Sequence, residues 1–360
     1  MVTHFVELLK ACAKKKDICR GTQIHANILK RGLLEKSPYL ATTLISMYAK
    51  CGELGKARQV LDDLHVRDVV CWNALISEYA QQQQGHEALS CFEKMQQEGI
   101  PPDGVTCTCI LKACGSIRAI DKGKQIHDEI VSRGLLDRNI ILGNGLGDMY
   151  SKCGVPAKAQ QILEELPVRN SFIWSALIGG YTQQRQGHEA FNCLERMQNE
   201  GFFPNAVTLT CILNVCGRTG AIEKGRQIHE KIITRGLLEK DIVLCTSLVD
   251  MYARSGALVK AQKVFDDLPI RDVTTWTALI GGYTQHGFGD EALKCYKRMR
   301  GEGVPPNAVT FGCVLRACGI VGNIEKGEEV HVEVKKQGLL DKDVVLGTAL
   351  VDMYAKCGAL

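Results

Sequence analysis

Three tryptophans, Trp72, Trp174 and Trp276, fall 102 residues apart, and the text around them recurs as WNALISEYA, WSALIGGYT and WTALIGGYT. The same interval links His25, His127, His229 and His331, within GTQIH, GKQIH, GRQIH and GEEVH. It also links Tyr48, Tyr150, Tyr252 and Tyr354, within SMYAKCG, DMYSKCG, DMYARSG and DMYAKCG. A fixed period means an array of one supersecondary unit, and it overrides the two or three ordinary domains that length alone suggests. Collagen and proline-rich disorder are excluded, because 36 glycines accompany only 9 prolines without a short period. No apolar run reaches the roughly 18 residues of a membrane span, so the chain reads as soluble.

The period divides into unequal parts: a 35-residue unit over 69–103, a 36-residue unit over 104–139 and a 31-residue unit over 140–170. Each part reads as two helices. In Val70–Gln81 the apolar residues Trp72, Leu75, Ile76 and Tyr79 occupy one helical face. Gly85 is expected to mark the turn, and Glu87–Gln97 then presents Ala88, Phe92 and Met95. Gly99 and Pro101-Pro102 close the pair, and EGFFPN and EGVPPN close the later copies. One such hairpin cannot bury its apolar face, so neighbours must stack into a continuous core. The array starts at Val2 without a cap and stops at Leu360 inside a unit, which reads as a piece of a longer protein.

The rotation of 35, 36 and 31 residues, with WNALI…EGxxPD, LKACG…GKQIH and DMYAKCG in order, resembles the PLS subfamily of pentatricopeptide repeat proteins. The likeness runs through the whole chain. L units span 2–37, 104–139, 206–241 and 308–343; S units span 38–68, 140–170 and 242–272; P units span 69–103, 171–205 and 273–307. A truncated S unit spans 344–360. Tetratricopeptide arrays repeat at a uniform length of about 34 residues, which this rotation does not match. The resemblance implies an all-α, right-handed superhelical solenoid. It also implies binding of single-stranded RNA in a mitochondrion or chloroplast, one base per repeat, to choose sites for cytidine-to-uridine editing. A deaminase would come from a C-terminal extension or another protein, alongside accessory editing factors. The alternative is a scaffold for protein partners, since helical solenoids also offer long binding surfaces.

In that family each repeat reads a base through the fifth residue of its first helix and its own last residue. Here the fifth residues of the P and S units are Thr42, Asn73, Asn144, Ser175, Thr246 and Thr277. The matching last residues are Asp68, Asp103, Asn170, Asn205, Asp272 and Asn307. Short hydroxyl, amide and carboxylate groups are what a base edge requires, although Asn, Ser, Thr and Asp are also common helix caps. The second residues, Tyr39, Val70, Ile141, Phe172, Val243 and Val345, would pack against base faces. Lys50, Lys152, Arg254 and Lys356 of the S units and Lys10, Lys112 and Arg316 of the L units would line the same face for phosphates. The total charge of +4 neither marks nor excludes such a stripe. Applied to P and S units, the family's pairs imply the target G-U-n-Y-A-n-G-A, read 5′ to 3′ along the repeats. The L pairs Thr108/Asn139, Thr210/Asp241, Gly312/Asp343 and Val6/Ser37 carry no base assignment.

Catalysis finds no support in the residues. His127-Asp128-Glu129 and His331-Val332-Glu333 imitate the H-x-E of a zinc deaminase, but the sister copies read His25-Ala26-Asn27 and His229-Glu230-Lys231. No cysteine pair is spaced C-x-x-C, so no metal, cofactor or catalytic residue is assigned. Of the 17 cysteines, 13 occupy four repeat positions, and Ser255 replaces one of them. That register points to small packing residues with reduced thiols rather than disulfides.

Overall fold

A computed structural model of the chain describes residues 2–34, 37–136, 139–237, 241–340 and 343–359. Among them are 21 α-helices and no strand. Leu360, the last residue of the truncated S unit, lies outside the described residues. The helices form two compact units, Met1–Gln184 and Arg185–Leu360.

Unit length follows from helix length. The P unit 69–103 holds two 13-residue helices, Val69–Gln81 and Gly85–Gln97. The following L unit lengthens the first helix to 14 residues, Gly104–Ile117. S units shorten the second helix to 9 or 10 residues, as in Leu54–Asp62, Pro156–Glu165 and Leu258–Asp266. Within each compact unit, the first helix of one hairpin packs against the first helix of the next, and these helices make a continuous layer. The second helices pack behind them. Each compact unit is thus a stack of helical hairpins, an all-α solenoid.

The repeated words of the sequence are the contacts of this stack. Trp72, Leu75, Ile76 and Tyr79 are buried, as are Trp174 and Trp276. Full burial of side chains this large stabilises by about 2–3 kcal/mol each. The glycine of each G-x-Q-I-H-type segment lies against a methionine of the next S helix. A Cβ added at Gly21, Gly123, Gly225 or Gly327 would sit 2.5–2.6 Å from the sulfur of Met47, Met149, Met251 or Met353. One turn further on, the histidine ring bonds the tyrosine of that same S helix. His25, His127, His229 and His331 place Nδ1 2.9–3.0 Å from the hydroxyls of Tyr48, Tyr150, Tyr252 and Tyr354. The two H-x-E look-alikes are therefore helix-packing histidines. Among the described residues, no three His, Cys, Asp or Glu side chains gather where they could hold a metal.

Gly85 is not the turn residue. The turn is made by Gln83 at φ 61°, and Gly85 opens the second helix. A Cβ at Gly85 would meet Ile117 at 2.6 Å and the carbonyl oxygen of Ala113 at 3.0 Å, so close packing explains this glycine. The cysteines at position 11 of the L units, Cys12, Cys114, Cys216 and Cys318, are all buried. Three S-unit cysteines point their thiols at those residues' carbonyl oxygens: Cys51 at 4.0 Å from Cys12, and Cys153 and Cys357 at 3.8 Å from Cys114 and Cys318.

Candidate nucleic-acid interface

The last residue of every P and S unit caps the next first helix. Asp68 accepts from the Cys71 N–H at 2.9 Å, and Asn170 from Phe172 and Ile173 at 3.0 and 3.1 Å. Asn205, Asp272 and Asn307 accept from Thr208, Thr275 and Thr310 at 2.8–2.9 Å. One oxygen does this work in each case, and an Asx side chain has a second polar atom left to offer. Capping thus uses one oxygen of each of these side chains.

The fifth residues lie inside their helices, so they are not caps. The hydroxyls of Thr42, Ser175, Thr246 and Thr277 bond back to the carbonyl four residues earlier at 2.6–3.0 Å. Each compact unit also joins a fifth residue to the third residue of the following repeat. Thr42 meets Cys71 at 3.3 Å, Thr246 meets Thr275 at 2.9 Å, and Thr277 meets Thr310 at 2.7 Å. Burial pushes the Cys71 thiol up to about 11, so it stays protonated beside Thr42.

The fullest version surrounds Asn73. Its Nδ2 donates to Asp103 Oδ1 at 2.9 Å, and its Oδ1 accepts from the Thr106 hydroxyl at 2.6 Å. Asp103 Oδ1 also accepts from the Thr106 N–H at 2.8 Å. Burial alone would raise the Asp103 pKa, but the bonds from Thr106 and Asn73 outweigh it and hold the carboxyl below its usual range. Asp272 behaves alike: burial opposes ionisation, and Thr274 and Thr275 overcome it. Both are anions at neutral pH. Asn144 differs, for its Oδ1 is buried without a hydrogen-bond partner among the described residues.

Around these pairs stand exposed apolar side chains. Tyr39, Val70, Ile141, Phe172, Val243 and Val345 are each more than half exposed. So are Val105, Val207 and Val309, the second residues of three L units, which hold the same register position though sequence reading omitted them. In the second compact unit a groove of about 830 Å³ brings together Thr246, Thr277, Asn307, Arg254, Arg316 and Lys356. Ser175 and Asn205 fall in different compact units.

The basic residues are all exposed, yet several carry a counter-charge. Lys152, Arg254 and Lys356 pair with Asp148, Asp250 and Asp352 one turn back, at 2.6–2.8 Å. These are the aspartates of the DMY signature. Lys10 donates to the Tyr39 hydroxyl at 2.9 Å and lies over its ring. Arg316 bonds its own helix at Gly312, while Lys50 and Lys112 carry no ion pair among the described residues. The stripe is therefore less positive than a count of lysines and arginines suggests.

Stacked helical hairpins that expose a row of apolar side chains beside capping Asx residues and cations define a helical-repeat protein with a built polar face. Models of the PPR repeat family match 67–116, 169–218 and 271–319, and a PPR repeat model matches 39–69, 207–237, 243–273 and 309–339. Together they cover more than half of the chain, which belongs to the pentatricopeptide repeat family. A mitochondrial pentatricopeptide repeat-containing protein of Arabidopsis thaliana is 36% identical over 98% of this chain and 34% of its own length. A chloroplastic relative from the same plant is 34% identical over 98% of this chain and 57% of its own length. The chain thus spans about a third to just over half of these relatives. Among solved structures, the pentatricopeptide repeat protein PPR10 in complex with an 18-nucleotide psaJ RNA element has the same fold. It matches with a TM-score of 0.72 at 17% identity, over 86% of this chain and 47% of that one.

Proposed function

We propose that this chain binds single-stranded RNA base by base, along the exposed face of its first helices, and so selects sites for cytidine-to-uridine editing in a mitochondrion or chloroplast. The observation that carries the reading is the hydrogen bond from the helix-interior Asn73 to the Asx cap Asp103, beside exposed apolar second residues. A base stacked between successive second residues would turn its Watson–Crick edge towards that pair.

The chemistry supports the order of bases. G and U carry an imino N–H on that edge, which an anionic Asp68, Asp103 or Asp272 accepts. A and C carry a bare ring nitrogen, to which the amides of Asn170, Asn205 and Asn307 donate. Size sets the other half of the choice: the short side chains of Thr42, Ser175, Thr246 and Thr277 leave room for a purine, and Asn73 and Asn144 fill it against a pyrimidine. The target is G-U-n-Y-A-n-G-A. Deamination would be supplied by a further domain or another protein, and accessory editing factors would share the solenoid.

The test is titration of the chain with this RNA and with a scrambled one, over stepped salt. The reading expects tight, salt-dependent binding of the first alone. Equal affinity for both would favour the protein-scaffold reading instead.

A further inference from the structure

We infer that Thr106, the third residue of the following repeat, makes Asn73 select U over C by holding both the place and the orientation of its side-chain amide. The inference rests on the RNA-reading proposal above. An amide presents an acceptor at one corner and donors at the other, and turning it over exchanges them. Thr106 is fully buried, and its hydroxyl accepts from the Asp103 N–H at 3.1 Å, which leaves its one proton to give. Asp103 Oδ1, at 2.9 Å, already takes the Thr106 N–H and the Asn73 amide. Asn73 Oδ1, at 2.6 Å, has no other donor among the described residues and takes the proton. The oxygen of Asn73 is thereby fixed inward by Thr106, and its nitrogen is fixed beside Asp103. What is left to a base is an N–H donor next to a carboxylate acceptor. That pattern matches a carbonyl beside an imino N–H, as in U, and opposes the ring nitrogen and amino group of C.

The chain contains its own contrast. The third residue after the Asn144 repeat is Ile173, whose side chain has no polar atom, and Asn144 Oδ1 is buried without a partner among the described residues. Ile173 cannot hold that oxygen, and the expected readout of Asn144 with Asn170 is C with some U. Where Thr106 loses its hydroxyl, Asn73 would be in the same condition. Its oxygen would be buried unpaired, and turning outward would relieve that while offering an acceptor to the amino group of C.

The experiment measures the ratio of Kd values for RNAs with C or U at the second target position, using the whole chain. Wild type is expected to favour U by about tenfold or more, the worth of one well-made polar pair. Thr106→Val should bring the ratio within about threefold of unity, and Thr106→Ser should keep it near wild type. Melting curves accompany each variant. Should the valine variant not fold, Thr106→Cys, the residue present at Cys71, should give an intermediate ratio. An unchanged ratio in a folded valine variant, or an equal loss in the serine variant, would overturn the role of the hydroxyl. At the fourth position, where the Asn170 amide favours C, wild type should still bind U within about tenfold of C, and complete rejection of U there would contradict the mechanism. Absence of any second-position preference in wild type would sink base reading itself, and this inference with it. Retained wild-type preference with a silent Thr106→Val would sink only the inference.

Discussion

Exchanging Asp103 for Asn changes one atom of the interface and leaves the helix cap in place. Asp103 Oδ1 takes the Thr106 N–H at 2.8 Å and the Asn73 amide at 2.9 Å, and an Asn oxygen can accept both, more weakly than the carboxylate does. Asn and Asp are equivalent N-caps, so stability should move by no more than about 0.5 kcal/mol. The other corner changes from an acceptor to an NH₂ donor. Facing U, the variant loses a charge-assisted hydrogen bond worth about 1.5–3 kcal/mol, and affinity falls roughly 10- to 100-fold. Facing C, it gains a neutral bond of about 0.5–1.5 kcal/mol, and affinity rises by about two- to tenfold. Fluorescence anisotropy with G-U-n-Y-A-n-G-A and G-C-n-Y-A-n-G-A measures both arms on one protein. A folded Asp103→Asn variant that still prefers U would refute the assignment of this carboxylate to the base edge.

Other predictions follow from the same contacts. Asn73→Thr should move the second-position preference from U towards G in a panel of four RNAs, because the shorter side chain admits a purine. Asp250→Asn removes the counter-charge of Arg254, and RNA binding should tighten about two- to threefold at low salt, an effect that added salt erases. Ser255 has a buried hydroxyl without a partner among the described residues where the sister copies hold cysteine, so Ser255→Cys should raise stability by about 1 kcal/mol in urea titration. Burial lowers the pKa values of His25, His127 and His229, with flanking charges as lesser influences. Their contribution is complete above the unfolded value of about 6.5 and is lost as pH falls through the depressed folded values. Melting temperature should therefore drop between pH 7 and pH 5, and His127→Gln should flatten that drop.

Much of this architecture was legible because the chain states it several times. The 102-residue interval exposed the hairpins and their unequal lengths, and it aligned Asn73 with Ser175 and Thr277 before any coordinates. The H-x-E decoys fell to the same comparison, and the His–Tyr bonds supply the packing reason for those histidines. What escaped reading depends on contacts between units. Thr106 looks like an ordinary early helix residue until its hydroxyl is found on the Asn73 of the preceding repeat. Asp148, Asp250 and Asp352 were hidden inside a tyrosine signature, so the cations beside them were counted at full strength. Gly85 was read as a breaker because glycine usually is one. Its actual constraint, the approach of Ile117 and the Ala113 carbonyl, belongs to the next helix and leaves no local mark.

Selection from a randomised RNA pool, using the whole chain as bait, tests the central claim most directly. The account predicts enrichment of G-U-n-Y-A-n-G-A, with both pyrimidines recovered at the fourth position and U dominant at the second. A pool that stays random after successive rounds, or converges on a motif in which those positions carry other bases, would contradict it.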